Sequence, residues 1–363
     1  MSSLERIEIK GFKSIRELDL ELCSLNVLIG ANGAGKTNFI SVFQLLNEIV
    51  KGDLQSFVGQ SDGADFLLHF GQKTTSEIVI RLHFGANGYE AKLVPTAGDN
   101  LIFAEEECWY QYRSGAVYTV PLGKGHAETG LKEEARKYPR KIAAHVLNSL
   151  KSWKVYHFHD TSKSAKVKKT GDINDNAALR SDASNLAAFL YLLQQKYGEH
   201  YDRIVKTVRL AAPFFDDFVL RLSPLNPEKI RLEWREKGSD AYFNVGTLSD
   251  GTLRFICLTT LLLQPTLPTT ILIDEPELGL HPYAITLLAS LLRKAATQTQ
   301  VIVSTQSVPL VNQFSPEDII VVDREGEQSV FRHLEAQEIE SWLEEYGLGD
   351  LWEKNILGGR PQR

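Results

Sequence analysis

Cysteine is scarce in this chain: Cys23, Cys108 and Cys257 lie far apart, each among apolar or strand-like neighbours. That spacing offers neither a zinc site nor a disulfide framework, and a cytosolic protein with buried thiols is the expectation. Long apolar runs are missing too. The longest, residues 255–263, carries two threonines and is far too short to span a bilayer. The opening MSSLERIEIKGF has neither the basic nor the apolar stretch of a secretory leader, so a cytoplasmic protein without membrane contact is expected. Positive charge is not in surplus, since the net charge is −6, unlike a protein that coats nucleic acid. The one basic run, Lys163, Lys166, Lys168 and Lys169, sits in a Ser/Thr/Gly-rich stretch and reads either as a solvated loop or as a phosphate contact. No internal repeat, low-complexity tract or long heptad run appears. With 363 residues and 43% hydrophobic content, the chain can nevertheless bury a large core and fill two lobes.

What the chain does have is GANGAGKTN at residues 30–38, which fits G-x-x-x-x-G-K-[ST] with Gly30, Gly35, Lys36 and Thr37. Ala31, Asn32, Gly33 and Ala34 complete the loop, and Asn38 follows it. Glycines let successive backbone N–H groups turn inward around a phosphate where a Cβ would obstruct them. Lys36 is placed to reach the β- and γ-phosphates of a nucleotide, and the Thr37 hydroxyl to hold Mg²⁺. The context agrees. Residues 25–29 (LNVLI) read as a buried strand, and Phe39, Val42, Phe43, Leu46 and Val50 recur at helical spacing after the loop. The helix would add its positive N-terminal dipole to the cradle.

Two short strands, 7–15 and 18–22, precede the loop. After its helix comes a β-rich region. Ile78, Ile80, Leu82 and Phe84 alternate with polar residues, and 89–94, 101–112 and 116–121 continue as a meander broken by Gly/Asn/Asp turns. A charged helix over 130–150 and a strand over 153–158 follow. Residues 161–176 are polar and Lys-rich and read as a linker or mobile loop. Helices at 182–196 and 201–212 and strands at 218–223 and 229–235 come next. The last third alternates: helix 250–263, strand 269–274, helix 282–296, strand 299–304, helix 307–313, strand 318–323. Such alternation predicts an α/β fold with a parallel sheet covered by helices. The expected divisions are an N-terminal lobe over 1–160, a linker and helical/β insertion over 161–235, a C-terminal lobe over 236–335 and a helical tail over 336–363. Trp342, Leu343, Tyr346, Leu348, Leu351 and Trp352 in that tail either pack on their own domain or dock a partner.

The apolar strand TILID-E ends in Asp274 and Glu275, carboxylates suited to hold Mg²⁺ and to orient or deprotonate an attacking water. It lies about 240 residues beyond the phosphate loop, with LSDGTLR at 248–254 just before it. Ser249 and Gly251 begin a helix there and offer a hydroxyl, bare N–H groups and a dipole to an anion. A plain Ser/Asp helix cap would explain Ser249 alone.

The order GANGAGKTN, LSDGTLR, ILIDEPELGLHP, VIVSTQS resembles the RecF/SMC-like branch of ABC ATPases. More narrowly it is similar to compact bacterial AAA-family ATPases related to the ATPase domains of OLD-type nucleases, and the N-terminal IEIKGFKSI is similar to their first strand. The motifs cover both ends of the chain, and the middle matches loosely. The resemblance implies an ABC-type ATPase head: a parallel sheet core bearing the phosphate loop, a β-rich N-terminal lobe and a small helical subdomain. It implies that residues 30–38 bind ATP, that Ser249 and Gly251 contact the γ-phosphate held by a second subunit, and that Thr37 and Asp274 serve Mg²⁺. Glu275 and Lys36 would be catalytic, and residues 277–281 would cross a dimer interface. The family's switch histidine is Gln306 here; glutamine can donate to a γ-phosphate but carries no charge, so slow hydrolysis is expected. The magnesium-sensing glutamine is not evident; Gln72 and Gln111 are weak candidates. Residues 156–160 (YHFHD) read as nucleotide-proximal or as structural hydrogen bonding, and His157 with His159 lacks a third metal ligand.

One copy of each motif implies an ATP-dependent head-to-tail homodimer with two composite sites. Three function classes stay open: a nucleotide-gated switch in DNA-related or anti-phage defence acting through a separately encoded effector, a RecF-like repair ATPase acting directly on DNA, and a transporter motor. The transporter fits least, because LSDGTLR and the β-rich insertion differ from its pattern. No acidic cluster outside the motifs suggests a fused nuclease.

Overall fold

The computed structural model describes residues 3–343 and 345–359. At its centre is a six-stranded sheet in the order Gln328–His333, Ile319–Glu325, Leu25–Ile29, Gln300–Thr305, Thr270–Asp274, Trp153–Tyr156. All neighbours pair in parallel except the Gln328–His333 strand, which returns as an antiparallel hairpin at one edge. The inner strands are buried along nearly their whole length, as parallel strands covered on both faces must be. Asn26 is the polar exception in the phosphate-loop strand, and it is satisfied by both backbone groups of Cys23.

Alternation along the strands divides the core into two layers. Leu28, Leu272 and Ile302 face a core shared with the helix Lys36–Lys51 and with a second, antiparallel six-stranded sheet whose strands lie within residues 6–21 and 78–123. Val27, Ile271, Ile273, Val301 and Val303 face the opposite core, made with the helices Asp250–Leu263 and Pro282–Ala296 and the pair Leu186–Lys196 and Gly198–Ala211. Phe39 and Phe43 of the phosphate-loop helix make an edge-to-face pair, and Phe43 also meets Trp153 on the sheet's far edge strand.

Several expectations change. The single helix over 130–150 is two, Leu131–Lys137 and Ile142–Lys151. Pro139 explains the break, since it lacks a donor and pushes Tyr138 out of helical geometry; Tyr138 has ψ 76. The stretch 161–176 is anchored rather than free. Ala165 and Val167 are buried, and Gly171–Asp172 pairs with the strand Asn226–Ile230. Helix 307–313 shrinks to Val308–Val311, and the strand Gln328–His333 was missed. Cys23 is exposed, in the turn before the phosphate-loop strand, while Cys108 and Cys257 are buried as expected. In the tail, Leu348, Leu351, Trp352 and Leu357 join the chain's own core; residues 360–363 lie outside the described residues.

Phe43, fully buried between two aromatic partners, tests how much this interlayer core contributes. Phe43→Ala should cost about 3–5 kcal/mol in denaturant unfolding, and a loss below about 1 kcal/mol would show that the layers hold without it.

Candidate functional site

Register brings the motifs together. Thr305 pairs with Ile29, Asp274 with Ser304, and Tyr156 with Ile273, so four strands end at one level and hand over there to Gly30, Glu275, Gln306 and His157. Residues far apart in the chain thereby share one rim, where parallel sheets place their ligands.

The phosphate loop leaves its strand and turns directly into the helix that starts at Lys36. Gly35 has φ 122, and a Cβ there would overlap the Ser329 hydroxyl, so no other residue fits the position. Lys36 is buried and donates to the carbonyls of Gly30 (2.6 Å) and Ala31 (3.0 Å). Burial lowers its pKa, opposed by the carboxylates of Glu275, Asp274 and Glu277. Asn32, Gly33 and Thr37 are exposed on the loop, while Ala34 is buried beneath it. The Asn38 amide donates to Ser14 Oγ (2.7 Å), which in turn accepts from Ser329 (2.7 Å). This chain of hydroxyls ties the start of the helix to the turn after the first strand and to the edge hairpin.

Facing the loop, the Thr37 hydroxyl stands 3.5 Å from Asp274 Oδ2. Asp274 Oδ1 is buried with no partner, as are Ser304 Oγ beside it and Glu277 Oε2. Buried polar atoms without partners are uncommon, and three gather here. A hydroxyl and a carboxylate with an orphaned oxygen form a hard-oxygen donor set, which fits Mg²⁺ carried by a nucleotide's phosphates. Among the described residues, no cluster of His, Cys, Asp and Glu could hold a metal on its own.

Glu275 adopts φ 42, a conformation that costs a non-glycine residue of the order of 1 kcal/mol, and its N–H is held by the Ser304 carbonyl at 2.8 Å. Its Oε1 accepts a hydrogen bond from Gln306 Nε2. Glu277 lies behind them, taking the Thr305 hydroxyl (2.5 Å) and the Gln306 N–H (3.2 Å) on one oxygen; burial raises its pKa. Gln306 is thus fixed by one carboxylate through its backbone while its side chain touches the other.

Ser249 caps the helix Asp250–Leu263 by accepting from Thr252 N–H (3.1 Å), and it remains exposed. A Cβ on Gly251 would overlap the Gly279 carbonyl, so this position also needs glycine, to let the helix start touch the 277–281 loop. No hydrogen bond joins residues 249–254 to residues 30–38 among the described residues.

Sequence reasoning missed three contributors. Arg254 is buried and donates to three backbone carbonyls: Phe158 (3.0 Å), His159 (3.2 Å) and Leu278. It clamps the 248–254 motif to the segment after the edge strand and to the 277–281 loop. Its signal was available, since it is the lone charge within the apolar stripe of that helix. Ser14 and Ser329 carry no pattern that would reveal them. His157, left open between two readings, lies beside Asp274 and meets Gln44 Nε2 of the phosphate-loop helix at 2.8 Å. Burial lowers its pKa, against the pull of Asp274. Gln72 bonds Asp65 and Asp99, and Gln111 pairs with Val117 in the antiparallel sheet; neither bonds the phosphate loop.

Comparison with known proteins gives the same picture. The model of the family described as "AAA domain, putative AbiEii toxin, Type IV TA system" matches residues 25–312. An OLD nuclease of Thermus scotoductus (strain ATCC 700910 / SA-01) is 35% identical over 81 residues, 22% of this chain and only 14% of that protein's length. Among solved structures, an SMC head bound to the C-terminal winged-helix domain of ScpA superposes with TM-score 0.55 at 16% identity, covering 92% of this chain and 98% of that one. A Pyrococcus furiosus SMC head with an extended coiled coil, bound to the C-terminal domain of ScpA, gives 0.52 at 15% identity, covering 95% and 99%. These likenesses establish the ABC-type head fold. No helix among the described residues is long and apolar enough to cross a membrane.

Arg254→Met removes all three carbonyl contacts and keeps the aliphatic stem. Phosphate release should fall about 10- to 100-fold, with Arg254→Lys intermediate and affinity for a fluorescent ATP analogue little changed. Wild-type turnover in a folded Arg254→Met protein would remove the clamp from the account.

Proposed function

The chain belongs to this AAA-domain family and has an SMC-type head fold, and from that premise we propose that it binds and hydrolyses ATP at composite sites between two copies of itself. The observation that carries the reading is the convergence of Lys36, Thr37, Asp274, Glu275 and Gln306 on one rim, with Ser249 exposed, Gly251 half-buried beside it, and neither bonded to the chain's own phosphate loop. Half of a site is on each surface, and a C₂ head-to-tail pairing joins the halves twice.

In this reading residues 30–38 wrap the phosphates with backbone N–H groups, and Lys36 leaves its two carbonyls to compensate the γ-phosphate charge. Mg²⁺, when bound through Thr37 and Asp274, neutralises the phosphate oxygens. Glu275 accepts the proton of the attacking water as its oxygen bonds to phosphorus and ADP leaves. The Gln306 amide donates to that base, and Gln306 adds no positive charge at the γ-phosphate, so turnover is slow. ATP stabilises the closed dimer by contacts available only there, and hydrolysis releases them. Such a chain works as a nucleotide-gated switch in DNA-related or anti-phage defence, passing its state to a separately encoded effector.

Glu275→Gln should lower hydrolysis at least ~100-fold while leaving ATP binding intact. With ATP and Mg²⁺ the variant should scatter light with a mass near twice 40.7 kDa, and Lys36→Ala should stay monomeric. A Glu275→Gln protein that remains a monomer at micromolar concentration with ATP bound would rule out the composite site.

A further inference from the structure

Charge on this acidic chain is unevenly placed. Between residues 131 and 154 seven Lys and Arg residues stand against two glutamates, although the whole chain carries −6. All seven are exposed, and none forms an ion pair among the described residues. The basic run at 163–169 is different, because Lys166 pairs with Asp182 and Lys168 with Asp250. The helix break at Pro139 turns Tyr138, Arg140 and Lys141 toward the last strands of the antiparallel sheet. Together with Tyr112, Tyr118 and His145 they line a cavity of about 570 Å³.

The tyrosines are what a merely solvated basic face would not need. Tyr112, Tyr118 and Tyr138 are 50%, 53% and 40% exposed, a cost in apolar surface that folding does not explain. Tyr138 already stacks with cations, having Lys141 Nζ 4.8 Å and Lys137 Nζ 5.7 Å from its ring centre. Glu134 is the one acidic residue lining that cavity. Lys132 and Lys151 line separate hollows, which share no residue with it. Unpaired cations beside a set of accessible rings are the pattern that holds a backbone of phosphates and stacks unpaired bases.

We propose that the face formed by Tyr112, Tyr118, Tyr138, Arg140 and Lys141 binds single-stranded nucleic acid. Duplex would satisfy the charge but leave the rings idle, since its bases are already stacked. An acidic protein segment would likewise use the cations and not the rings. The inference deepens the proposed DNA-related role by naming its surface. It lies outside the composite nucleotide site, so binding is read without nucleotide, and its failure would leave the ATPase reading standing.

The test is fluorescence anisotropy of the full chain with labelled 30-mers of oligo-dT and oligo-rU and with a duplex of equal length. Single strands should bind more tightly than duplex. Arg140→Glu with Lys141→Glu should weaken binding at least ~10-fold and flatten the slope of log K against log salt by about 1.4, two phosphate contacts' worth. Tyr118→Ala and Tyr138→Ala should each cost roughly 5- to 100-fold, while Tyr118→Phe and Tyr138→Phe, which keep the stacking face, should bind as wild type. Lys163→Glu with Lys169→Glu should change little. Equal affinity for duplex, or a poly-glutamate peptide competing as well as oligo-dT with the alanine variants unaffected, would overturn the proposal, as would no binding at physiological salt.

Discussion

Parallel pairing at the centre of the sheet is the constraint on which everything else rests. The strand Leu25–Ile29 lies between Gln300–Thr305 and Ile319–Glu325, with Thr270–Asp274 one place further out. A slip of one residue in any of these pairings would exchange its two core faces, sending Val27 toward the antiparallel sheet and Leu28 toward the helices. The two hydrophobic layers therefore hold the register, and the register sets Glu275 and Gln306 beside the loop after Ile29. Chemistry at the rim is specified by burial well below it.

That arrangement lets the rim hold a feature that is unfavourable on its own. Glu275 sits at positive φ, at a cost of the order of 1–3 kcal/mol, and its N–H is pinned by the Ser304 carbonyl of the neighbouring strand. Arg254 extends the same rigidity outward: three carbonyls from two segments converge on one guanidinium, and the glycine contact between Gly251 and Gly279 seals the same junction. The surface that would meet a second copy is therefore joined to the segment carrying His157 without a flexible link.

How much of this was legible depended on the range of the cause. The phosphate loop and the acidic strand were readable because their chemistry is local: glycine placement and an apolar run ending in carboxylates. The parallel sheet was readable from alternation, and the family from the order of motifs. Pro139 announced a helix break that a charge-rich periodicity concealed. Ser14, Ser329 and the His157–Gln44 contact were not readable, since each depends on segments that only the fold brings together. Residues 161–176 looked unstructured by composition, yet their few apolar side chains, Ala165 and Val167, bury them.

The basic face shows the same limit from the other side. A scan for consecutive lysines finds 163–169, where the fold supplies acidic partners, and passes over 131–154, where cations are spaced along two helices and an edge strand. Net charge counts both alike. What separates Lys166 and Lys168 from the seven cations of 131–154 is a carboxylate within reach, a property of tertiary placement and not of spacing. The edge strand Trp153–Tyr156 serves more than one part of the molecule: its Lys154 lines a cleft with Lys132 and Lys151, and the next residue after it is His157, beside Asp274. That short strand packs through Trp153 on Phe43 of the phosphate-loop helix, so one element contributes to the cleft, to the core under the phosphate loop and to the rim.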